Sequence, residues 1–186
     1  WIVGDLLHEI LKYSDTALRR RVAARLADIA DAPSGLVRSL AVDAFEVGQP
    51  LLERSVTLTD FDLLEIIKAG QLDHRIAIAK RDRVSEVVTA ALIAGGEYNV
   101  IVAILKNAGA HIAPPTLDHL VSAATDEAAF VPLLLKRAEL RPRAAMRLSG
   151  RPSGEPLRVQ VRWKARNSAS VPSSPAQASG GPSPAS

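Results

Sequence analysis

The sequence predicts an all-α protein: an α-solenoid of short antiparallel helical pairs, followed by a disordered C-terminal tail. Three observations predict it. A short phrase recurs as Leu51-Leu52-Glu53-Arg54, Ile78-Ala79-Lys80-Arg81, Ile104-Leu105-Lys106-Asn107 and Leu134-Leu135-Lys136-Arg137, so successive copies start at positions 51, 78, 104 and 134. A near-constant period of roughly 20–50 residues marks stacked supersecondary units. Between copies, apolar residues recur at helical spacing and are punctuated by capping residues, Gly and Pro. Finally, aromatics make up 4% of a chain that is 47% hydrophobic, leaving a core of Leu, Ile, Val and Ala that suits closely packed helices.

The elements follow in order. Leu6, Leu7, Ile10 and Leu11 form the apolar face of a first helix ending near Ser14, and Asp15 caps a second in which Leu18, Val22, Leu26 and Ile29 line up. Pro33-Ser34-Gly35 breaks the chain before a helix over 36–47. Gly48 and Pro50 then separate that helix from a short turn at Leu51–Arg54, since Pro is tolerated mainly at a helix start. Thr59-Asp60-Phe61-Asp62 places a hydroxyl at N-cap and a carboxylate at N3, with Leu58 and Leu63 positioned as a hydrophobic staple. That helix stops at Gly70, read as a left-handed C′ residue, and Asp73 to Arg81 is its partner. Ser85 caps Glu86 to Ala94, Gly95-Gly96 ends it, and Glu97 to Asn107 completes the next pair. Pro114-Pro115 opens Thr116 to Ala124. Asp126 caps Glu127 to Arg137, which Pro132 should kink or split, and Pro142 opens a last helix ending near Ser149.

Helices this short take their stability from packing, and each pair carries too much apolar surface to stand alone. Residues 1–149 are therefore expected to form one helical-repeat domain, right-handed as such stacks generally are. Residues 150–186 change in composition abruptly. Arg151 to Arg166 is basic and lacks helical amphipathicity, and 167–186 is uncharged and almost entirely Ser, Ala, Pro and Gly. Such a stretch buries too little apolar surface to offset its ordering entropy.

The formal net charge of +3 divides unevenly: −4 over residues 1–140 and +7 over 141–186. A basic footprint for nucleic acid is thus confined to the last quarter of the chain. There is no cysteine, which excludes disulfides and thiolate metal sites and fits a cytoplasmic location. The longest clean apolar run, Val100 to Leu105, is far short of the roughly 20 residues that span a bilayer. Trp1-Ile2-Val3-Gly4-Asp5 shows neither an initiator Met nor a basic n-region, so this stretch does not read as a signal peptide and the chain is expected to be a fragment whose upstream part is not seen.

The run Leu58-Thr59-Asp60-Phe61-Asp62-Leu63-Leu64-Glu65-Ile66-Ile67, with His74-Arg75-Ile76-Ala77-Ile78-Ala79-Lys80-Arg81 and then Ser85, Val88, Ala91-Leu92, Gly96, Val100, Leu105 and Asn107, resembles a bacterial family common in alphaproteobacteria, the domain of unknown function 2336. The resemblance covers roughly residues 37–149 and is most specific in its Leu-Thr-Asp-x-Asp-Leu-Leu-Glu phrase. It implies HEAT-like or leucine-rich-variant helical repeats and carries over no catalytic residue. After Leu148 the chain departs from the pattern, where similar proteins continue with amphipathic helix. Two origins are open for this tail: an out-of-frame reading of a GC-rich gene, or a natural disordered segment. Sequencing the DNA across codon 149 decides between them.

Candidate chemistry is sparse. His8, His74, His111 and His119 include no pair at the i, i+3/i+4 spacing of helical metal ligands, so no metal is expected. Asp60, Asp62 and Glu65 cluster at a helix start, where capping and the helix macrodipole account for them better than acid/base work. There is no phosphate-cradling loop and no serine-nucleophile motif, so neither enzymatic activity nor a cofactor is expected. The cations of the recurring phrase, Arg54, Lys80, Arg81, Lys106, Lys136 and Arg137, should stack along one edge. They either complement helix C-termini, worth a few tenths to about 1 kcal/mol each, or grip an acidic partner. The expected role is a non-catalytic scaffold for protein–protein interaction, placed in bacterial signalling by analogy alone. The alternative is a nucleic-acid-binding HEAT-like protein, against which the acidic repeat region and scarce aromatics count.

Overall fold

The computed structural model describes residues 2–149, and there the chain is all-helical. The helices are α1 (Ile2–Lys12), α2 (Thr16–Leu26), α3 (Ser34–Ala41), α4 (Phe45–Arg54), α5 (Asp60–Ala69), α6 (Leu72–Ala79), α7 (Glu86–Ala94), α8 (Tyr98–Lys106), α9 (Pro114–Ala123), α10 (Val131–Leu134) and α11 (Pro142–Ser149). A 3-10 turn, Ala128–Phe130, precedes α10. The tail expected over 150–186 lies outside the described residues.

Side-chain caps fix several helix starts. Asp15 accepts from the Leu18 N–H at 2.7 Å and Ser85 from the Val88 N–H at 3.3 Å. At α5 the capping box is complete: Asp62 N–H donates to Thr59 Oγ1, and the Asp62 carboxylate accepts from the Thr59 N–H at 2.9 Å. Ala32, Leu58, Val84 and Ile112 stand just before the N-caps of α3, α5, α7 and α9, and all four are buried. Their near-even spacing along the chain is a second reading of the repeat.

The even-numbered helices pack in succession: α2 on α4, α4 on α6, α6 on α8 and α8 on α10. Odd-numbered helices lie against one another (α1 with α3, α5 with α7, α9 with α11) and against their even-numbered partners, α3 with α4, α5 with α6 and α7 with α8. The first residue of each phrase copy, Leu51, Ile78, Ile104 and Leu134, is fully buried in this succession. Burying one such side chain contributes roughly 1.5–3 kcal/mol, which is why the phrase must recur once per pair. Between pairs the chain also touches itself through backbone. Val84 N–H donates to Gly109 O at 3.1 Å and His111 N–H to Val84 O at 2.9 Å, an isolated parallel bridge; no strand forms among the described residues.

Four local expectations are corrected. The helix expected over 36–47 ends at Ala41, and α4 runs straight through Gly48 and Pro50. Gly48 is there for contact, not for breaking: a Cβ on it would stand 2.7 Å from Ala41 O, so only glycine lets α4 come this close to α3. Pro50 forgoes a single helical N–H bond, while Asp43 marks the true break by accepting from Ala44 N–H at 2.7 Å. Gly70 is extended (φ −76°), and among the described residues the left-handed glycine is Gly96 (φ 75°). Of the apolar face expected on α1, Leu11 is buried but Leu6, Leu7 and Ile10 are exposed. Asp126 makes no cap, and the segment expected over 127–137 ends its helix at Leu134, while its division into the 3-10 turn and α10 is the split expected of Pro132.

Candidate functional site

The fourth residue of the phrase does work that its charge alone does not suggest. Arg81, just past α6, reaches back to the end of α4 and donates to Leu52 O and Ser55 O, at 2.6 Å each. Asn107, after α8, donates through Nδ2 to Ala79 O at 2.9 Å and Arg81 O at 2.7 Å, and its Oδ1 accepts from Gly109 N–H at 2.8 Å. Arg137, after α10, donates to Asn107 O at 2.6 Å and to Ala110 O, and pairs with Glu139 at 2.8 Å. Each of these residues satisfies carbonyls left open at the end of the preceding even-numbered helix. The cation also meets the negative end of that helix's macrodipole, so it complements the previous repeat's helix and not its own. Arg137 is buried and Arg81 half-buried. Burial pushes the Arg81 guanidinium below its ordinary pKa, the Asp60 and Asp82 carboxylates opposing, but arginine stays charged at neutral pH.

The six predicted site residues therefore divide. Arg81 and Arg137 point into the structure as clamps between repeats. Arg54 is half-exposed and pairs loosely with Asp28 at 3.5 Å. Lys80, Lys106 and Lys136 are exposed and form no ion pair among the described residues. They occupy the third phrase position, where α4 carries Glu53 instead.

One helical turn before each lysine the exposed position is apolar: Ile76 on α6 and Val102 on α8 are half-exposed, and Pro132 on α10 is exposed. Leu72 and Tyr98, at the starts of α6 and α8, add partly exposed apolar surface, and Tyr98 stacks on Phe130 with ring centroids 5.6 Å apart. At the positions of Ile76 and Val102 and of the lysines, α4 carries Gln49 and Glu53, although Phe45 at its start matches Leu72 and Tyr98. The faces of α6, α8 and α10 thus carry an apolar row flanked by a basic one, and α4 does not continue it. Sequence reasoning found the lysines but missed Asn107 as a clamp, because it looked for charge. The signal was donor identity: the fourth position reads Arg, Arg, Asn, Arg, all side chains with N–H groups to give.

The other sequence candidates have structural employment. Asp62 is buried in the capping box and also pairs with Arg38 at 3.0 Å, and Glu65 pairs with Lys68 on the surface. His74 is buried against the edge of Phe45, with Nε2 3.5 Å from Asp43 O. Its neighbour Arg75 ties Ile67 O and Gly70 O, at 2.9 Å each, to the Glu97 carboxylate. Among the described residues no three His, Asp or Glu side chains are placed to hold a metal, and no helix is long and apolar enough to cross a membrane.

The sequence model of a family described as an uncharacterised protein conserved in bacteria, DUF2336, matches residues 47–179. The chain belongs to this family. The DUF2336 match takes in α4 from Val47 to α11, and with them all four copies of the phrase. It begins at 47, not at the expected 37, and runs to 179, not 149, so it includes most of the segment expected to depart from the family pattern. No curated protein and no solved structure matches the chain.

Proposed function

We propose that the helical pairs form an α-solenoid of HEAT-like repeats, and that it is a non-catalytic cytoplasmic module binding an acidic segment of another protein across α6, α8 and α10. The observation that carries this reading is the set of three unpaired lysines at equivalent positions, each one turn after an apolar residue that is at least partly exposed. Helices packed side by side lie about 8–10 Å apart, so the ammonium groups recur at about that interval. An acidic segment crossing the helices meets one cation per repeat, with apolar side chains settling on Ile76, Val102 and Pro132. Rim charges of this kind govern association rate and partner choice more than raw affinity. A place in bacterial signalling is consistent with the family's distribution and rests on analogy.

The test is binding of fluorescent acidic–apolar peptides to the full chain, against single-stranded and duplex DNA of equal charge. Peptide binding that falls at least tenfold in a Lys80→Glu/Lys106→Glu variant supports the proposal. Tight DNA binding that persists in that variant while the peptides fail would replace it with the nucleic-acid reading.

A further inference from the structure

A second basic surface lies at the opposite end of the even-numbered row. Between α2 and the C-terminal end of α4 an open groove of about 670 Å³ has Leu18, Val22 and Leu26 in its lining. Arg21 and Arg25 of α2 and Arg54 of α4 line it too. Arg21 and Arg25 are exposed and make no hydrogen bond or ion pair among the described residues. The neighbouring Arg19 is different, since its guanidinium is committed to Asp43 at 2.7 Å and to Ser14 O. The acid in the groove, Asp28, is held by Arg54 at 3.5 Å with both side chains more than half exposed, a pair that a stronger anion displaces at little cost.

Geometry selects the anion. Arg21 and Arg25 are one turn apart, about 6 Å along the axis, and Arg54 projects from a helix about 8–10 Å away. Three guanidinium forks lining one groove outnumber what a carboxylate, with two oxygens, can accept. A phosphate monoester offers three acceptor oxygens and nearly two negative charges at neutral pH. The apolar lining beside the cations takes the side chain next to it.

We propose that this groove binds a phosphorylated side chain on a partner protein, with a neighbouring apolar residue of that partner seated on Leu18, Val22 and Leu26. The site is separate from the lysine row and stands or falls apart from it.

The experiment titrates the full chain with the peptide Ala-Leu-pSer-Leu-Ala and with its serine and glutamate forms, by calorimetry or by amide chemical shifts. The phosphopeptide is expected to bind at least tenfold more tightly than the glutamate form, and more tightly above pH 6 than below as the phosphate loses its second proton. Arg21→Ala/Arg25→Ala should abolish that preference. Arg83→Ala, an exposed arginine outside the groove, should not. Asp28→Asn removes the competing acid and should tighten phosphopeptide binding several-fold, a gain that misfolding does not imitate. Equal binding of phospho- and glutamate peptides, or an unchanged affinity in the Arg21/Arg25 variant, overturns the proposal and assigns any binding to the basic stretch beyond residue 150. Absence of saturable binding overturns it as well.

Discussion

Arg81→Ala isolates what the clamps contribute. The side chain makes two charge-assisted hydrogen bonds of 2.6 Å to carbonyls at the end of α4. Bonds to a charged group contribute about 1.5–3 kcal/mol each, and the half-exposed site places them at the lower end, so the loss comes to about 3 kcal/mol. For a domain of this size that corresponds to a fall in Tm of about 6–12 °C. Lysine at 81 offers a point donor where arginine offers a fork, so Arg81→Lys should recover no more than about half. The control is the preceding residue. Lys80 is exposed and unpaired, and Lys80→Ala should stay within about 0.5 kcal/mol of wild type. Urea unfolding followed by far-UV circular dichroism gives all three values. An Arg81→Ala loss no larger than that of an ordinary surface substitution, or equal losses at 80 and 81, would refute the argument that the phrase recurs in order to clamp.

Two further outcomes follow from the geometry. Gly48→Ala puts a Cβ 2.7 Å from Ala41 O and should cost about 1–3 kcal/mol by overpacking, read by the same unfolding curves, even though alanine is the better helix former. Burial acts to raise the Glu139 pKa, but its backbone hydrogen bond and the Arg137 guanidinium outweigh this and hold the carboxyl below its ordinary value. A lowered folded-state pKa stabilises above the unfolded value, near 4.3, and that stability is lost as pH falls through the folded value. Because the side chain is more than a third exposed, the effect should stay under about 0.5 kcal/mol. Glu139→Gln should accordingly flatten the stability–pH curve between about pH 3 and 5, lowering stability by that small amount above this window and leaving it unchanged below.

The all-helical fold was legible because each signal is local: Thr59 and Ser85 cap within three residues, and the phrase marks each pair by its buried first residue. What escaped was non-local. Gly48 reads as a helix breaker until Ala41 O is known to lie against it, and Gly70 reads as a left-handed stop although the turn is made by extended backbone. On α1, Leu6 and Ile10 satisfy the helical period, but period alone does not say that a neighbour covers them. The lysines were read from sequence as part of a mixed row of cations, and they are exposed. The inward commitment of Arg81 and Arg137 was not, since their carbonyl partners lie a whole repeat away along the chain.

The clamps also explain why the period is loose without the packing being loose. Asn107 donates to the carbonyl of Arg81, and Arg137 donates to the carbonyl of Asn107, so each clamp residue is also the seat of the next. Register passes hand to hand through these contacts and does not depend on the length of chain between them. The stretch from His111 through α9 to α10 can therefore widen the interval before the fourth copy of the phrase with no loss of alignment. An added residue between Ile104 and Ala110, where donor and seat are adjoining positions, has no such slack. Tolerance to insertion is thus written into the molecule unevenly, generous between one clamp and the next and strict where one repeat is fastened to the next.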